Sequence, residues 1–357
     1  MTSGTSSKGD PPLAPEQIRA LAGALAQVDG MGADVVVEKL GGGYSNVTLL
    51  VKSGARDVIV RMPPPGASNL KSGAHDVIRE ARILEKLHPV YALAPKPLAI
   101  VDDAGVIGVP FFAMERVRGR VLRNKVPEGL DLSPPVMRTL STGFVDALAA
   151  LHAIDVERAG LTGIGKPVGY VQRQVDGWRE RYEKARTDEI SDMERLAAWL
   201  RAHVPTTVGR VSVVHNDFKY DNVVLDESMG IVGVLDWELS TVGDPMTDLA
   251  TSLAYWTEPG DDPSFRAMPV GPTWLEGNLT RTQIVARYEE KTGRPVEDLL
   301  FHVLLASFKI AVIAQQIYFR YAKGFTQDPR FVALGFAVAV VAAKACRVLD
   351  AGRIDVP

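Results

Sequence analysis

The sequence predicts an α+β protein of two unequal lobes, a small β-rich front lobe followed by a larger helical one. Three observations carry this reading. Short β-branched runs punctuated by glycine and serine turns cluster ahead of Gly119. Helical periodicity dominates after it. The 357 residues also exceed what one compact core usually holds. Strands gathered at one end and helices at the other make an α+β arrangement. The expected division is a disordered tail over 1–12, a front lobe over 13–117 and a helical lobe over 118–357.

Taken in order, Met1 to Pro12 is rich in Ser, Gly and Pro and reads as a tail, not a secretory signal. Glu16 to Val28 places Ile18, Leu21, Leu25 and Val28 at helical spacing. Val35–Lys39 and Val47–Lys52 read as strands flanking the glycine run Gly41–Gly43. Asp57–Arg61 follows a Ser53-Gly54 turn, and Pro63–Pro65 ends it. His75 to Leu87 predicts a helix with Val77, Ile78, Ala81, Leu84 and Leu87 on its apolar face, and Gly108–Glu115 a buried strand. Beyond Gly119, helices are expected over Val136–His152, Met193–His203, Thr282–Thr292 and from Leu299 onward. A short β patch, Val211–Val214 and Val223–Val234, interrupts them. Phe301–Tyr318 is broken by His302 and Lys309, and Phe331–Ala343 falls short of the ~20 apolar residues of a membrane span. Both predict buried helices and no membrane partner.

Composition narrows the function. Net charge is −3 with no basic run, which argues against a nucleic-acid partner. Apolar residues at 46% and charged residues at 23% are those of an ordinary soluble protein. The single Cys346 excludes an internal disulfide framework and a cysteine-rich zinc site. That fits a reducing, cytoplasmic setting.

The chemistry concentrates in Val211 to Ala250. His215-Asn216-Asp217 is followed five residues later by Asn222, and Asp236 ends an apolar run. Phosphoryl transfer needs a group to orient the attacking hydroxyl and ligands for the metal ions that neutralise phosphate oxygens. Asp217 can accept the hydroxyl proton. Asn222 and Asp236 offer the hard oxygen donors that Mg2+ prefers. Their order is H-x-D-x-x-x-x-N … D.

This stretch resembles the catalytic core of the aminoglycoside phosphotransferase and choline kinase superfamily, whose fold is protein-kinase-like. Asp236-Trp237-Glu238 stands where protein kinases carry Asp-Phe-Gly, and Gly243-Asp244-Pro245 with Asp248-Leu249-Ala250 is the signature of the aminoglycoside branch. The resemblance implies ATP or GTP as donor with Mg2+, and a small-molecule hydroxyl as acceptor. Lys219 would reach the transferred phosphate, or else face solvent. Gly42, Gly43 and Ser45 would cover the phosphates, unless they form an ordinary hairpin turn. Arg61 stands where the family carries lysine and would contact phosphate with Glu80 as partner; a guanidinium keeps the charge with a different reach. Met114, Glu115 and Val117 would line the adenine pocket at the link between lobes, the alternative being plain core.

The nearest likeness within the superfamily is to the kinase-like domains fused to acyl-CoA dehydrogenases. It rests on Arg61-Met62-Pro63-Pro64-Pro65, Met114-Glu115-Arg116-Val117, Tyr170-Val171-Gln172-Arg173-Gln174 with Trp178, and Phe308-Lys309 … Gln315 … Tyr318. This implies a hydroxyacyl acceptor in preference to an aminoglycoside. Tyr170, Trp178, Trp256, Lys309 and Tyr318 are the expected acceptor walls, with Gln174, Tyr255, Gln315 and Arg320 beside them. Aromatic residues on helices also fill cores. Lys309, a cation in an apolar helix, needs a partner or an anion, which points to a carboxylate- or phosphate-bearing acceptor. Glu258, Asp261 and Asp262 offer the opposite, an acidic wall for a cationic one. Two other functions remain open at this stage: a protein kinase, and a nucleotide-binding scaffold without transfer activity.

Overall fold

The computed structural model describes residues 13–41, 46–64, 76–124, 129–206 and 210–357. The expected tail and the glycine-loop residues Gly42, Gly43 and Ser45 lie outside them. The chain forms two compact units: Met1–Val117 together with Trp237–Leu239, and Arg118–Asp236 together with Ser240–Pro357.

The first unit is an antiparallel sheet of five strands in the order β1-β2-β3-β5-β4. These are β1 (Val36–Lys39), β2 (Val47–Ser53), β3 (Arg56–Met62), β4 (Pro97–Val101) and β5 (Phe111–Glu115). Because side chains alternate across a strand, β3 sends Val58, Val60 and Met62 to one face. There they pack with Leu21 and Leu25 of helix α1 (Pro15–Leu25). The next residues, Ile59 and Arg61, face the other side, where α2 (Val77–Leu87) lies against β4 and β5. The alternation therefore delivers Arg61 to the α2 face. Helix α2 is started by Asp76, whose carboxylate accepts from the Arg79 N–H at 2.9 Å.

In this sheet one strand begins later than the sequence predicts and another is not predicted at all. Strand β5 begins at Phe111, because Gly108 adopts φ +92° in a turn closed by its N–H on the Ala104 carbonyl. Strand β4 was not anticipated. It is an edge strand opened by Pro97, the position where a strand tolerates proline.

The second unit is helical, with α3 (Pro134–His152), α4 (Tyr170–Ala185), α5 (Ser191–Ala202), α6 (Pro245–Tyr255), α7 (Pro263–Arg266), α8 (Arg281–Thr292), α9 (Leu299–Ala322) and α10 (Val332–Ala351). Its core is built by Val175 and Tyr182 of α4, Leu196 and Leu200 of α5, Leu304, Phe308 and Val312 of α9, and Val338 and Ala342 of α10. Two small ladders interrupt the helices: β6 (Ser212–Val214) pairs with β9 (Thr241–Gly243), and β7 (Val223–Leu225) with β8 (Ile231–Val234). The late apolar run is two helices separated by Gly324, at φ +75°, and Pro329. Both are long and apolar enough to cross a membrane by composition. Yet α9 buries 67% of its apolar window within the protein and carries His302, Lys309 and Gln315 buried on it.

Candidate active site

The loop after β6 holds His215, Asn216 and Asp217, and it is bound on every side. Asn216 adopts φ +67°, a left-handed conformation that costs energy for a residue with a Cβ. Its N–H donates to Asp248 Oδ1 at 2.6 Å, and the His215 N–H donates to Asp248 Oδ2 at 2.5 Å. Its side-chain Oδ1 accepts from the Tyr170 hydroxyl at 3.0 Å, and its carbonyl accepts from Lys309 Nζ at 2.5 Å. Asp248, fully buried on α6, also accepts from His152 Nε2 at 3.2 Å, while His152 Nδ1 meets the Tyr288 hydroxyl at 2.7 Å. Burial alone would raise this carboxyl, but His152 and the His215 amide outweigh it and hold it below the usual carboxylate range.

His215 is structural. Its Nε2 donates to the Leu235 carbonyl at 2.9 Å and its Nδ1 accepts from the Asp217 N–H at 3.2 Å, which identifies a neutral ring. Burial lowers its pKa, in agreement.

Asp217 is oriented by two neighbours. Lys219 Nζ donates to Oδ2 at 2.7 Å, and Asn222 Nδ2 donates to the same oxygen at 3.0 Å and to the Asp217 carbonyl at 2.9 Å. Lys219 lies 4.9 Å from the Tyr255 ring centre. Burial opposes its charge, but Tyr255 and Asp217 raise its pKa above the ordinary lysine value. Burial likewise pushes the Tyr255 hydroxyl up to about 12. With its NH2 turned to Asp217, Asn222 keeps its amide oxygen out of those contacts, a lone-pair ligand for a metal ion. The Leu235 N–H donates to the Asn222 carbonyl at 2.7 Å, which sets Asp236 next in the chain, at φ +69°. One amide oxygen and one carboxylate suit Mg2+, which keeps few protein ligands and completes its shell with water and phosphate oxygens. No cluster of three His, Cys, Asp or Glu side chains forms a metal cage among the described residues.

In the first unit, Arg61 meets the expected Glu80, Nε to Oε2 at 3.3 Å. It also meets Glu238, Nη2 to Oε2 at 2.8 Å, and Asn46 Nδ2 donates to that same oxygen at 2.9 Å. Met114 is buried on β5, and the Glu115 N–H donates to the Lys96 carbonyl at 2.8 Å. Val117 ends the unit's first segment.

Several expected wall residues are elsewhere. Trp256 is 2% exposed, packs on Phe144 and Tyr220, and donates its indole N–H to the Leu279 carbonyl at 2.9 Å, so it is core and not a wall. Tyr318 lies roughly 13 Å further along α9 than Lys309, with its ring over Gly335 of α10. Gln315 caps the end of α4 through the Ala185 carbonyl at 2.8 Å. Lys309 is engaged by Asn216, 5.9 Å from the Trp178 ring, so the loop carbonyl supplies the partner for which an acceptor anion was expected. Tyr170 likewise holds the loop. Trp178 and Gln174 line a small cleft with Asn216, Thr247, His302 and Lys309. The acidic loop is consumed internally: Glu258 and Asp261 pair with Arg281, Asp261 also with Lys344, and Asp262 caps α7. Residues missed in the sequence are His152, Tyr288, Asn46 and Glu238; Glu238, two residues after Asp236, and Asn46, at the end of the glycine run, carried a positional signal.

The phosphotransferase enzyme family profile matches residues 36–283. Acyl-CoA dehydrogenase family member 11 of Rattus norvegicus is 33% identical over 331 residues, covering 86% of this chain and 40% of that protein. The chain thus spans about two fifths of that relative's length. A solved structure from Ralstonia eutropha JMP134, assigned to the aminoglycoside phosphotransferases, is 30% identical with a TM-score of 0.76, covering 90% of this chain and 95% of that one. Choline kinase of Cryptosporidium parvum shares the fold alone, at 12% identity and a TM-score of 0.61 over 93% and 96% of the two chains. With the H-x-D-x-x-x-x-N … D loop in place and more than half its length matched, the chain belongs to the aminoglycoside phosphotransferase (APH) family of phosphotransferase enzymes, on the protein-kinase-like fold.

Proposed function

We propose that this chain transfers the terminal phosphate of ATP or GTP to a hydroxyl of a small metabolite, with a hydroxyacyl compound favoured over an aminoglycoside. The observation that carries this is the Asp217 carboxylate, held by Lys219 and Asn222 in a loop whose preceding residue is strained and tied on three sides. Asp217 accepts the acceptor's proton as its oxygen bonds to the γ-phosphorus, and the bond from phosphorus to the bridging oxygen breaks to release the diphosphate. Lys219 then stands beside the transferred group with its charge secured. Asn222 and Asp236 would hold Mg2+, which when bound neutralises the phosphate oxygens. Arg61 contributes a cation for the donor phosphates.

The choice of acceptor rests on charge. A polycationic antibiotic needs an acidic wall, and Glu258 and Asp261 are already neutralised by Arg281 and Lys344. The short interval from Asp236 to Asp248 is filled by a turn, β9 and the start of α6, which leaves no long segment to hold a protein substrate.

The test is magnesium-dependent release of ADP or GDP across hydroxy acids, hydroxyacyl thioesters, choline-like alcohols and aminoglycosides, with Asp217→Asn as control. Acceptor-stimulated release should fall by about 10²–10⁴-fold in the variant, with nucleotide binding retained. Release that is unchanged in the variant, or absent with every acceptor despite nucleotide binding, overturns the proposal.

A further inference from the structure

Lys309 sits in the middle of α9, 8% exposed, where an ammonium is expensive to keep. A backbone carbonyl does not need a cation, since a neutral donor satisfies it. Among the described residues no carboxylate lies within ion-pair distance of Lys309; Asp217 and Asp248 act on it from further away, as do the cations Lys219 and Arg181. Its one hydrogen bond goes to the carbonyl of the left-handed Asn216, the peptide joined directly to Asp217. The N–H and the side-chain Oδ1 of Asn216 are held from two other helices, by Asp248 on α6 and Tyr170 on α4. A strained residue persists only when its surroundings over-determine it, and here three helices do so.

We propose that Lys309 is a positioning residue for phosphoryl transfer: its charge-assisted hydrogen bond holds the 216–217 peptide in the orientation that aims the Asp217 carboxylate. This rests on the phosphotransferase function proposed above. Lys309 touches neither donor nor acceptor in this role, so its loss acts on turnover and leaves nucleotide affinity alone. Tyr170 works on the same residue through its side-chain Oδ1, so the two tethers are coupled.

The experiment is a double-mutant cycle of Lys309→Met and Tyr170→Phe, with kcat, nucleotide KM and amide hydrogen exchange of residues 215–218 measured in each variant. Lys309→Met should lower kcat about 10- to 100-fold, the scale of a lost charge-assisted hydrogen bond, with nucleotide KM within twofold. Tyr170→Phe should lower kcat less. The double variant should be less impaired than the product of the two, with faster exchange confined to the loop. Lys309→Arg should recover part of the rate. The exchange measurement needs no substrate, so it judges the tether even if no acceptor is turned over. A Lys309→Met protein with wild-type kcat and wild-type exchange overturns the assignment. So does strict multiplicativity with Tyr170→Phe together with exchange raised throughout the helical unit, which would make Lys309 a packing residue. Should Lys309→Met fail to fold, Tyr170→Phe with unchanged loop exchange and kcat sinks it equally.

Discussion

Asp248→Asn isolates what a single buried carboxylate does for the catalytic loop. Asp248 accepts from three donors, the Asn216 amide on Oδ1 and the His215 amide with His152 Nε2 on Oδ2. Asparagine keeps the shape but turns one oxygen into an NH2. The less costly orientation leaves the oxygen facing the pair at Oδ2 and sets the NH2 against the Asn216 N–H. One charge-assisted hydrogen bond is lost, about 1.5–3 kcal/mol, and a buried donor is left without an acceptor, about 1–3 kcal/mol more. The expected destabilisation is therefore about 3–5 kcal/mol, the range found when a buried charged contact is broken from one side. Urea unfolding followed by near-ultraviolet circular dichroism reads the stability, and steady-state turnover reads the loop. Asn216 is released from its left-handed conformation, so kcat should fall at least about tenfold, one decade per 1.4 kcal/mol. A variant with the wild-type urea midpoint and kcat within twofold would refute the argument that Asp248 holds the loop.

Gly243→Ala places a Cβ 2.7–2.9 Å from the Tyr170 ring. It should lower the thermal midpoint by an overpacking cost of about 1–3 kcal/mol and displace the Tyr170 hydroxyl from Asn216; the penalty should vanish in a Tyr170→Ala background, and its persistence there would show another cause. Lys344, beside Asp261 and with its ammonium 3.8 Å from the Phe265 ring centre, has its pKa pushed down to about 8 by burial and then by Arg281. Between that value and the ordinary lysine value of 10.5 the unfolded chain binds more protons than the folded one, so this group's contribution to stability rises with pH through that window. Urea midpoints measured across it should climb less steeply in Lys344→Met than in the parent, and identical slopes would contradict the assignment.

The residues to which the proposed function assigns the chemistry were legible because phosphoryl transfer demands particular donors in a particular order. Asp217, Asn222 and Asp236 declare themselves by type and spacing, and Arg61 with Glu80 by resemblance to the family's lysine-bearing strand and the helix that follows it. The residues that hold that machinery were not legible. Lys309, Tyr170 and Gln315 carry polar groups that read as binding surface, yet each is engaged by backbone or side-chain partners distant in sequence. Trp256 misled for the converse reason, since an aromatic in a motif-rich stretch reads as a wall when its indole is satisfied inside the core. Helix α6 was hidden by the motif that opens it: Asp244 caps it by accepting from the Met246 N–H, and Pro245 follows at the first helical position. Helix α4 was hidden by its polar composition.

The two departures from the protein-kinase pattern, arginine at 61 and Trp-Glu after Asp236, are a single feature once the first unit is in view. Two carboxylates face this position: Glu80, 1% exposed, and Glu238, 11% exposed by side chain. A guanidinium offers five N–H donors in a planar fork; Arg61 donates from Nη2 to Glu238 and lies in ion-pair contact with Glu80 through Nε. A lysine is a compact charge on a flexible stem and lacks the planar fork that meets both Glu80 and Glu238. Glycine at 238, as in Asp-Phe-Gly, would conversely leave the second arm of the fork without its acid. Each substitution is costly alone and compatible together. The arginine is thus accounted for by local electrostatics.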